Sequence, residues 1–328
     1  MYTKKQKHCT FWTIQKGAVF MAGYEKNIGT SVTGKPIDVF VWKPEGDVRC
    51  VVQLVHGMAE HMARYDSVAR ALAEKGCLVV GHTHIGHGPQ ADIKGYFAAK
   101  DGWQCLIDDV HQIRQNVQKQ HPGVPYVLLG HSMGSFVVRC YLMQYAEGLS
   151  AAVLSGTGWY DRPLVTAGRT LAKIMCALGQ SKKPGLLIDK VAFGGSNKPF
   201  EPARTPFDWL SRDEQQVDAY VADPLCGFPF TNKGYQDMFD GLMALSDPDA
   251  AKNIPKNLPV LLLSGDKDPV GQMGQGVEKV AQQMRDAGVK DVTVRLFKDG
   301  RHEMFNETNA GEVYDFLAGW IDRVVSAG

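Results

Sequence analysis

The chain has no apolar run near the roughly 20 residues that a membrane-spanning helix requires, so no transmembrane segment is expected. It also carries almost no net charge: 36 Lys and Arg against 35 Asp and Glu leave +1. The excess of positive charge that a nucleic-acid partner demands is therefore missing. Its seven cysteines form no C-x-x-C pair, and their odd number fits reduced thiols in a cytoplasmic protein better than a disulfide framework. The first twenty residues begin with basic side chains but offer no adequate apolar core and no small-residue cleavage site, so a secretion signal is not expected. They precede a second methionine, Met21, and residues 1–20 read as an upstream extension that folding and activity do not need.

What remains is an ordinary globular composition, 44% hydrophobic over 328 residues, enough for a sizeable core. Short, nearly continuous apolar runs recur at 50–55 (CVVQLV), 77–81 (CLVVG), 126–130 (YVLLG), 151–156 (AAVLSG) and 259–265 (PVLLLSG). Such runs are expected of strands buried on both faces of a parallel sheet. IDVFVW at 37–42 and VTVRLF at 292–297 alternate more, as strands nearer an edge do. Helical spacing of apolar residues lies between them, at Tyr65, Val68, Ala69 and Leu72, for example, and in the last stripe from Val313 to Val324. The alternation predicts a mostly parallel, doubly wound α/β sheet with its site at the carboxyl ends of the strands. Residues 157–249 break the pattern with helical fragments, prolines and aromatics, so they read as an inserted cap on a core formed by 21–156 and 250–328.

GHSMG at 130–134 follows one of these strands and opens an apolar helical stretch. This is G-x-S-x-G in the strand–turn–helix setting that exposes a nucleophilic serine on a strained turn. Ser132 is the candidate nucleophile, beside His131. A serine hydroxyl needs a base, and the base needs an acid to orient it. His302, in a loop before the last helix, is the candidate base. Asp266 and Asp268 both follow a strand end. Asp266 directly follows Ser264 and Gly265, where a short carboxylate commonly satisfies its own turn. Asp268 precedes Pro269, which keeps it extended, and is the candidate acid. The H-G loop after the strand at 50–55 contributes His56 and Gly57, with His56 expected to order the loop. Its Met58 N–H, with the N–H of Met133, is the expected oxyanion hole. Glu60, His61, Arg64 and Tyr65 are read as the structured start of a helix, with a polar substrate head as the other use.

A second chemistry has to be weighed. GHTHIGHG at 81–88 places His82, His84 and His87 at H-x-H-x-x-H spacing, as in zinc hydrolases. However, Gly86 stands where the zinc motif wants an aspartate, and no convincing further ligands follow. No metal is assigned.

HGMAEHMARY at 56–65, GHSMG and DWLSRDEQQVDAYVADPLCGF at 208–228 together resemble the monoglyceride lipase and lysophospholipase branch of the α/β-hydrolases, a group related to serine aminopeptidases. The similarity runs from about residue 30 to the C-terminus. It implies an α/β-hydrolase fold, no cofactor, and a cytoplasmic serine hydrolase cleaving a small lipid-like ester through an acyl-enzyme, with passing contact to lipid aggregates. The family also places its acid three residues after the strand-end glycine, on Asp268. Its usual D-H-x-G-H-G-x-S loop aligns with residues 83–90, where Thr83 replaces the aspartate and Gln90 the serine. The histidine cluster thereby becomes a structural loop near the site. A short-chain carboxylesterase or an amide hydrolase of the same fold stays open, because the cap and not the triad separates these. A catalytically silent binding module is the alternative outside enzymes, disfavoured by the complete Ser, Asp, His set.

Overall fold

The computed structural model describes residues 19–21 and 23–326. Residues 1–18, most of the expected extension, lie outside the described residues. Val19 and Phe20 pair with Lys26 and Glu25 in β1 (Val19–Met21).

A single sheet organises the chain. Its strands are β1, β2 (Tyr24–Thr30), β3 (Pro36–Trp42), β4 (Cys50–Val55), β5 (Cys77–His82), β6 (Tyr126–His131), β7 (Ala151–Ser155), β8 (Val260–Gly265) and β9 (Val292–Phe297). They lie in the order β1-β2-β3-β5-β4-β6-β7-β8-β9. β1, β2 and β3 pair antiparallel with their neighbours, and the rest run parallel. β9 is an edge strand as its alternation predicts. β3 lies third from the other edge, nearer it than the central strands, and β1 and the polar YEKNIGT of β2 continue the sheet beyond it. β2 is half-exposed on most of its length, so it lacks the apolar run that reveals a strand in sequence.

Side chains leave the central strands alternately. On β4, Val51 and Val55 join the core under α2 (Gly102–Gln120), α3 (Met133–Tyr145) and α8 (Gln275–Asp286), while Cys50, Val52 and Leu54 pack under α1 (Asp66–Glu74) and α9 (Ala310–Ser326). The period-2 alternation of a strand thus feeds two apolar layers. Gln53 is the exception on this strand. It is fully buried, and it donates to the Val110 carbonyl (3.0 Å) and accepts from Tyr126 Oη (2.7 Å), so its amide is satisfied.

The chain steps from β4 outward to β5, then back across β4 to β6. The order therefore reverses between β4 and β6, and the crevice where doubly wound sheets bind ligands opens at their carboxyl ends. Pairing of Val55 with Gly130 puts the loops after these two strands side by side. Between β7 and β8 the described residues form α4 (Arg162–Met175), α5 (Leu186–Phe193), α6 (Glu214–Ala222), α7 (Asn232–Leu245) and short turns, without a strand. Two of these helices have side-chain N-caps: Asp213 accepts from Gln215 and Gln216 N–H, and Thr231 from Gly234 N–H.

Candidate active site

The turn between β6 and α3 is built by its glycines. A Cβ on Gly134 would collide with the Val55 carbonyl, and one on Gly130 with the Gly134 backbone. Only glycines let the helix start this close to the sheet. The residue between them takes the strain: Ser132 has φ 52° and ψ −121°, a conformation that L residues hold only when the surroundings enforce it. Its N–H donates to Ser155 O at 2.9 Å, which ties the turn to β7. Ser132 stays half-exposed while its neighbours are buried.

Asp268 and His302 come together from the loops after β8 and β9. His302 Nδ1 lies 3.0 Å from both carboxylate oxygens of Asp268. Asp268 also accepts from Val270 N–H (2.8 Å) and Ser264 Oγ (3.0 Å). Burial works against this fully enclosed carboxylate, but the His302 charge and these hydrogen bonds outweigh it and hold its pKa below the ordinary value. For His302, burial favours the neutral ring; the Asp268 charge and hydrogen bond prevail and raise its pKa. The neighbouring His131 ring, 4.8 Å away between centroids, is pushed down to about 3 by burial and by the His302 charge. It stays neutral and does not oppose an imidazolium at 302. Asp266 stands apart from this pair. Its Oδ1 accepts from Asp299 N–H at 2.8 Å, so it braces the facing loop rather than its own turn.

The loop after β4 meets the same point. A Cβ on Gly57 would sit 3.1 Å from the Ser132 Cβ and 2.7 Å from Glu60 Oε1, so this loop passes directly over the serine. Gly57, Met58, His131, Ser132, Met133 and His302 line one cavity of about 640 Å³. Met58, from the loop after β4, and Met133, at the start of α3, both line this cavity with Ser132.

Beyond Gly57, the motif residues Glu60, Arg64 and Tyr65 are engaged with each other, and His61 with Asp223. Glu60 accepts from Gly57 N–H (2.6 Å) and Tyr65 Oη (2.7 Å), and Arg64 reaches both Glu60 (2.6 Å) and Glu303 (2.6 Å). Burial and the neighbouring Glu303 push the Glu60 carboxyl up. For Glu303, burial is overcome by the Arg64 charge, which holds it down at about 2. One guanidinium thereby bolts the loop over Ser132 to the residue that follows His302.

The histidine cluster forms a hydrogen-bonded wall. His56 Nδ1 lies 2.8 Å from Gly57 O, His84 N–H donates to His56 Nε2 (3.0 Å), and His84 Nδ1 meets His82 Nε2 at 3.2 Å. Ala59 N–H donates to His87 Nε2 (3.3 Å). Burial drives His82 down to about 3 and His87 to about 4, so these rings are neutral spacers beneath the loop. Their nitrogens do not converge as a ligand set. Thr83 and Gln90, where the family carries aspartate and serine, also have partners: Thr83 Oγ1 accepts from Met62 N–H (3.3 Å) and Gln90 donates to Asp38 (3.1 Å).

Two contacts at the base have no sequence signature of their own. Gly156, at φ +58°, lies so close that a Cβ would be 3.0 Å from His302 Cε1 and 3.1 Å from its Nδ1. Only the SG at the end of β7 hints at it. Trp209 faces the His302 ring at 5.1 Å between centroids. The turn Asp208–Leu210 is stitched to the His302 loop as well. Trp209 O accepts from His302 N–H (3.4 Å), Leu210 O from Glu303 N–H (2.7 Å), and Arg301 Nη1 donates to the carbonyls of Asp208 (2.5 Å) and Ser211 (3.1 Å).

Residues 46–309 match the family pattern described as serine aminopeptidase, S33. The chain belongs to this family. It is an α/β-hydrolase, and its reaction class is serine ester hydrolysis. Within the family it is 32% identical over 293 residues to the monoacylglycerol lipase of Mycolicibacterium smegmatis, covering 88% of this chain and 94% of that one. It is 28% identical over 293 residues to the Homo sapiens monoglyceride lipase, covering 88% of this chain and 87% of that one. Among solved structures, a thermostable carboxyl esterase from Bacillus coagulans superposes with a TM-score of 0.87 at 27% identity, over 93% of this chain and all of that one.

Proposed function

We propose that the chain hydrolyses a monoacylglycerol or lysophospholipid. Ser132 Oγ attacks the ester carbonyl, and His302 takes the serine proton and returns it to the leaving alcohol. Asp268 holds the imidazole tautomer and balances the charge that forms on it. The N–H groups of Met58 and Met133 stabilise the oxyanion, and water then releases the acyl group from Ser132. No step draws on a cofactor.

The observation that carries the substrate class is the cavity. Beside Ser132 it runs under the helical excursion 157–249 and is walled by Leu171, Ile188, Met238, Phe239 and Leu242, so we read the excursion as a cap over an acyl-chain groove. Its volume of about 640 Å³ suits one chain with a small head. On the excursion, Leu178, Leu186 and Leu187 are more than half exposed without lining the cavity, which supports brief contact with lipid aggregates. Among the described residues no helix is long and apolar enough to cross a membrane, and the six described cysteines are free, as a reducing cytoplasm allows.

The test pairs a label with a chain-length series. A fluorophosphonate labels Ser132, and Ser132→Ala loses both label and turnover. Because each buried methylene contributes up to roughly 0.8 kcal/mol, kcat/KM climbs by orders of magnitude from acetyl to medium or long acyl esters. A profile peaking at acetate, or cleavage of aminoacyl amides without lipid esters, defeats the lipid assignment.

A further inference from the structure

Among the described residues, one mixed set of metal-ligating side chains converges outside the triad. His61, on the loop after β4, points Nε2 at Asp223 Oδ2 (2.7 Å), and the atoms of His61, Asp223 and Cys226 that could bind an ion all lie within 4.8 Å of one another. Asp223 and Cys226 share a tight turn just after α6: Cys226 N–H donates to Asp223 O (3.0 Å). Leu225 N–H holds the other carboxylate oxygen, Oδ1 (2.8 Å), which leaves Oδ2 directed at His61. All three residues are partly exposed, so an ion from solvent has a path to them.

We propose that His61, Asp223 and Cys226 form a site for a soft-to-borderline divalent cation of the zinc class, with water completing a tetrahedron. Zinc takes nitrogen, oxygen and sulfur at about 2.0–2.3 Å, which sets its ligand atoms roughly 3.3–3.7 Å apart. The His61–Asp223 pair opens slightly and the thiol closes in by about an ångström to meet this geometry. The binding step balances as loss of one proton: Cys226–SH gives up H⁺ to solvent as a metal–thiolate bond forms, the ring proton that His61 Nε2 directs at Asp223 shifts to Nδ1, and the freed Nε2 and an Asp223 carboxylate oxygen donate lone pairs.

The charges that bear on Cys226 are Arg64, the strongest of them, and then Glu60, Asp223 and Glu303; the guanidinium is already paired to Glu60 and Glu303. Neutral His87 also stands near His61. The bound ion would lock two walls of the cavity together, since Ala59 O already accepts from Gly227 N–H (2.9 Å) and Tyr220 Oη (3.1 Å) across the same seam.

The experiment uses the full chain after chelator treatment. Cobalt(II) is titrated in as a spectroscopic probe, and zinc then displaces it. The expected result is one equivalent of cobalt with a thiolate charge-transfer band and tetrahedral visible bands, zinc displacement, and a thermal midpoint that zinc raises. Cys226→Ser removes the charge-transfer band, and both Cys226→Ser and Asp223→Asn weaken zinc binding at least tenfold. Both must melt cooperatively in chelator, and His61→Gln replaces either variant that does not. Absence of the band in wild type, or equal zinc affinity in wild type and the variants, overturns the site.

Discussion

Replacing Asp268 by Asn exchanges one carboxylate oxygen for an amide that carries two donors. In the native site the carboxylate faces Val270 N–H at Oδ1, Ser264 Oγ at Oδ2, and His302 Nδ1 at 3.0 Å from both. The Val270 N–H is fixed backbone, so the amide oxygen must turn towards it. The NH₂ group then faces Ser264, whose hydroxyl can rotate to accept, and His302. All groups are satisfied only if His302 Nδ1 accepts, which moves the ring proton to Nε2, the nitrogen that must receive the serine proton. The variant is thus folded, hydrogen-bonded and in the wrong tautomer, and it has also lost the charge that balances the imidazolium. The cost is up to about 10⁴-fold in kcat, or about 5.4 kcal/mol. Asp266→Asn keeps its oxygen for Asp299 N–H and gives up only a 3.9 Å surface approach to Lys267, worth about 0–1 kcal/mol of stability. Both variants are assayed for kcat on one ester, with melting curves to show that each is folded. A crippled Asp266→Asn beside a healthy Asp268→Asn refutes the choice of acid and the tautomer reasoning with it.

Three further outcomes follow from the same geometry. Gly156→Ala places a methyl 3.0 Å from His302 Cε1 at a positive φ; ring displacement is expected to cut kcat by up to about 10²-fold with KM little changed, and a wild-type kcat would remove Gly156 from its positioning role. Arg64→Met leaves Glu60 and Glu303 buried without their shared cation, so urea unfolding is expected to show a loss of about 3–5 kcal/mol; a loss under about 1 kcal/mol contradicts the bridge. The pH profile of kcat/KM falls on the acid side as His302 protonates, with its midpoint above the ordinary 6.5 because the folded pKa is raised. Stability runs the other way for that group: its contribution is complete below pH 6.5 and is lost as pH rises through the folded value. The Glu303 contribution is present above 4.5 and lost as pH falls towards about 2. An acid limb below 6.5 counts against the ion-paired base.

The sheet was largely legible because buried parallel strands write themselves as apolar runs: CVVQLV is β4, YVLLG is all but the last residue of β6, and PVLLLSG contains β8. β2 was not, since YEKNIGT lies half in water. Ser132 stood out because a strained turn between strand and helix demands glycines at fixed offsets, and Asp268 because proline restricts the residue before it. The Arg64–Glu303 bolt and the Trp209 contact to His302 join residues far apart in sequence, so no local spacing encodes them. Asp266 was expected to brace its own turn but accepts from Asp299 N–H instead, because which loop lies opposite a turn is a tertiary fact.

The turn Asp208–Leu210 belongs in sequence to the helical excursion but hangs by its backbone from the His302 loop, whereas α4 and α5 turn several apolar side chains outward and make no such connection to that loop among the contacts described above. This splits the excursion into parts with separate evolutionary freedom. Substitutions along α4 and α5 can reshape the cavity wall without touching the Asp268–His302 pair, while a change at Trp209 or Arg301 reaches the His302 loop directly. A library aimed at new substrates therefore belongs on 162–193, with 208–212 held fixed.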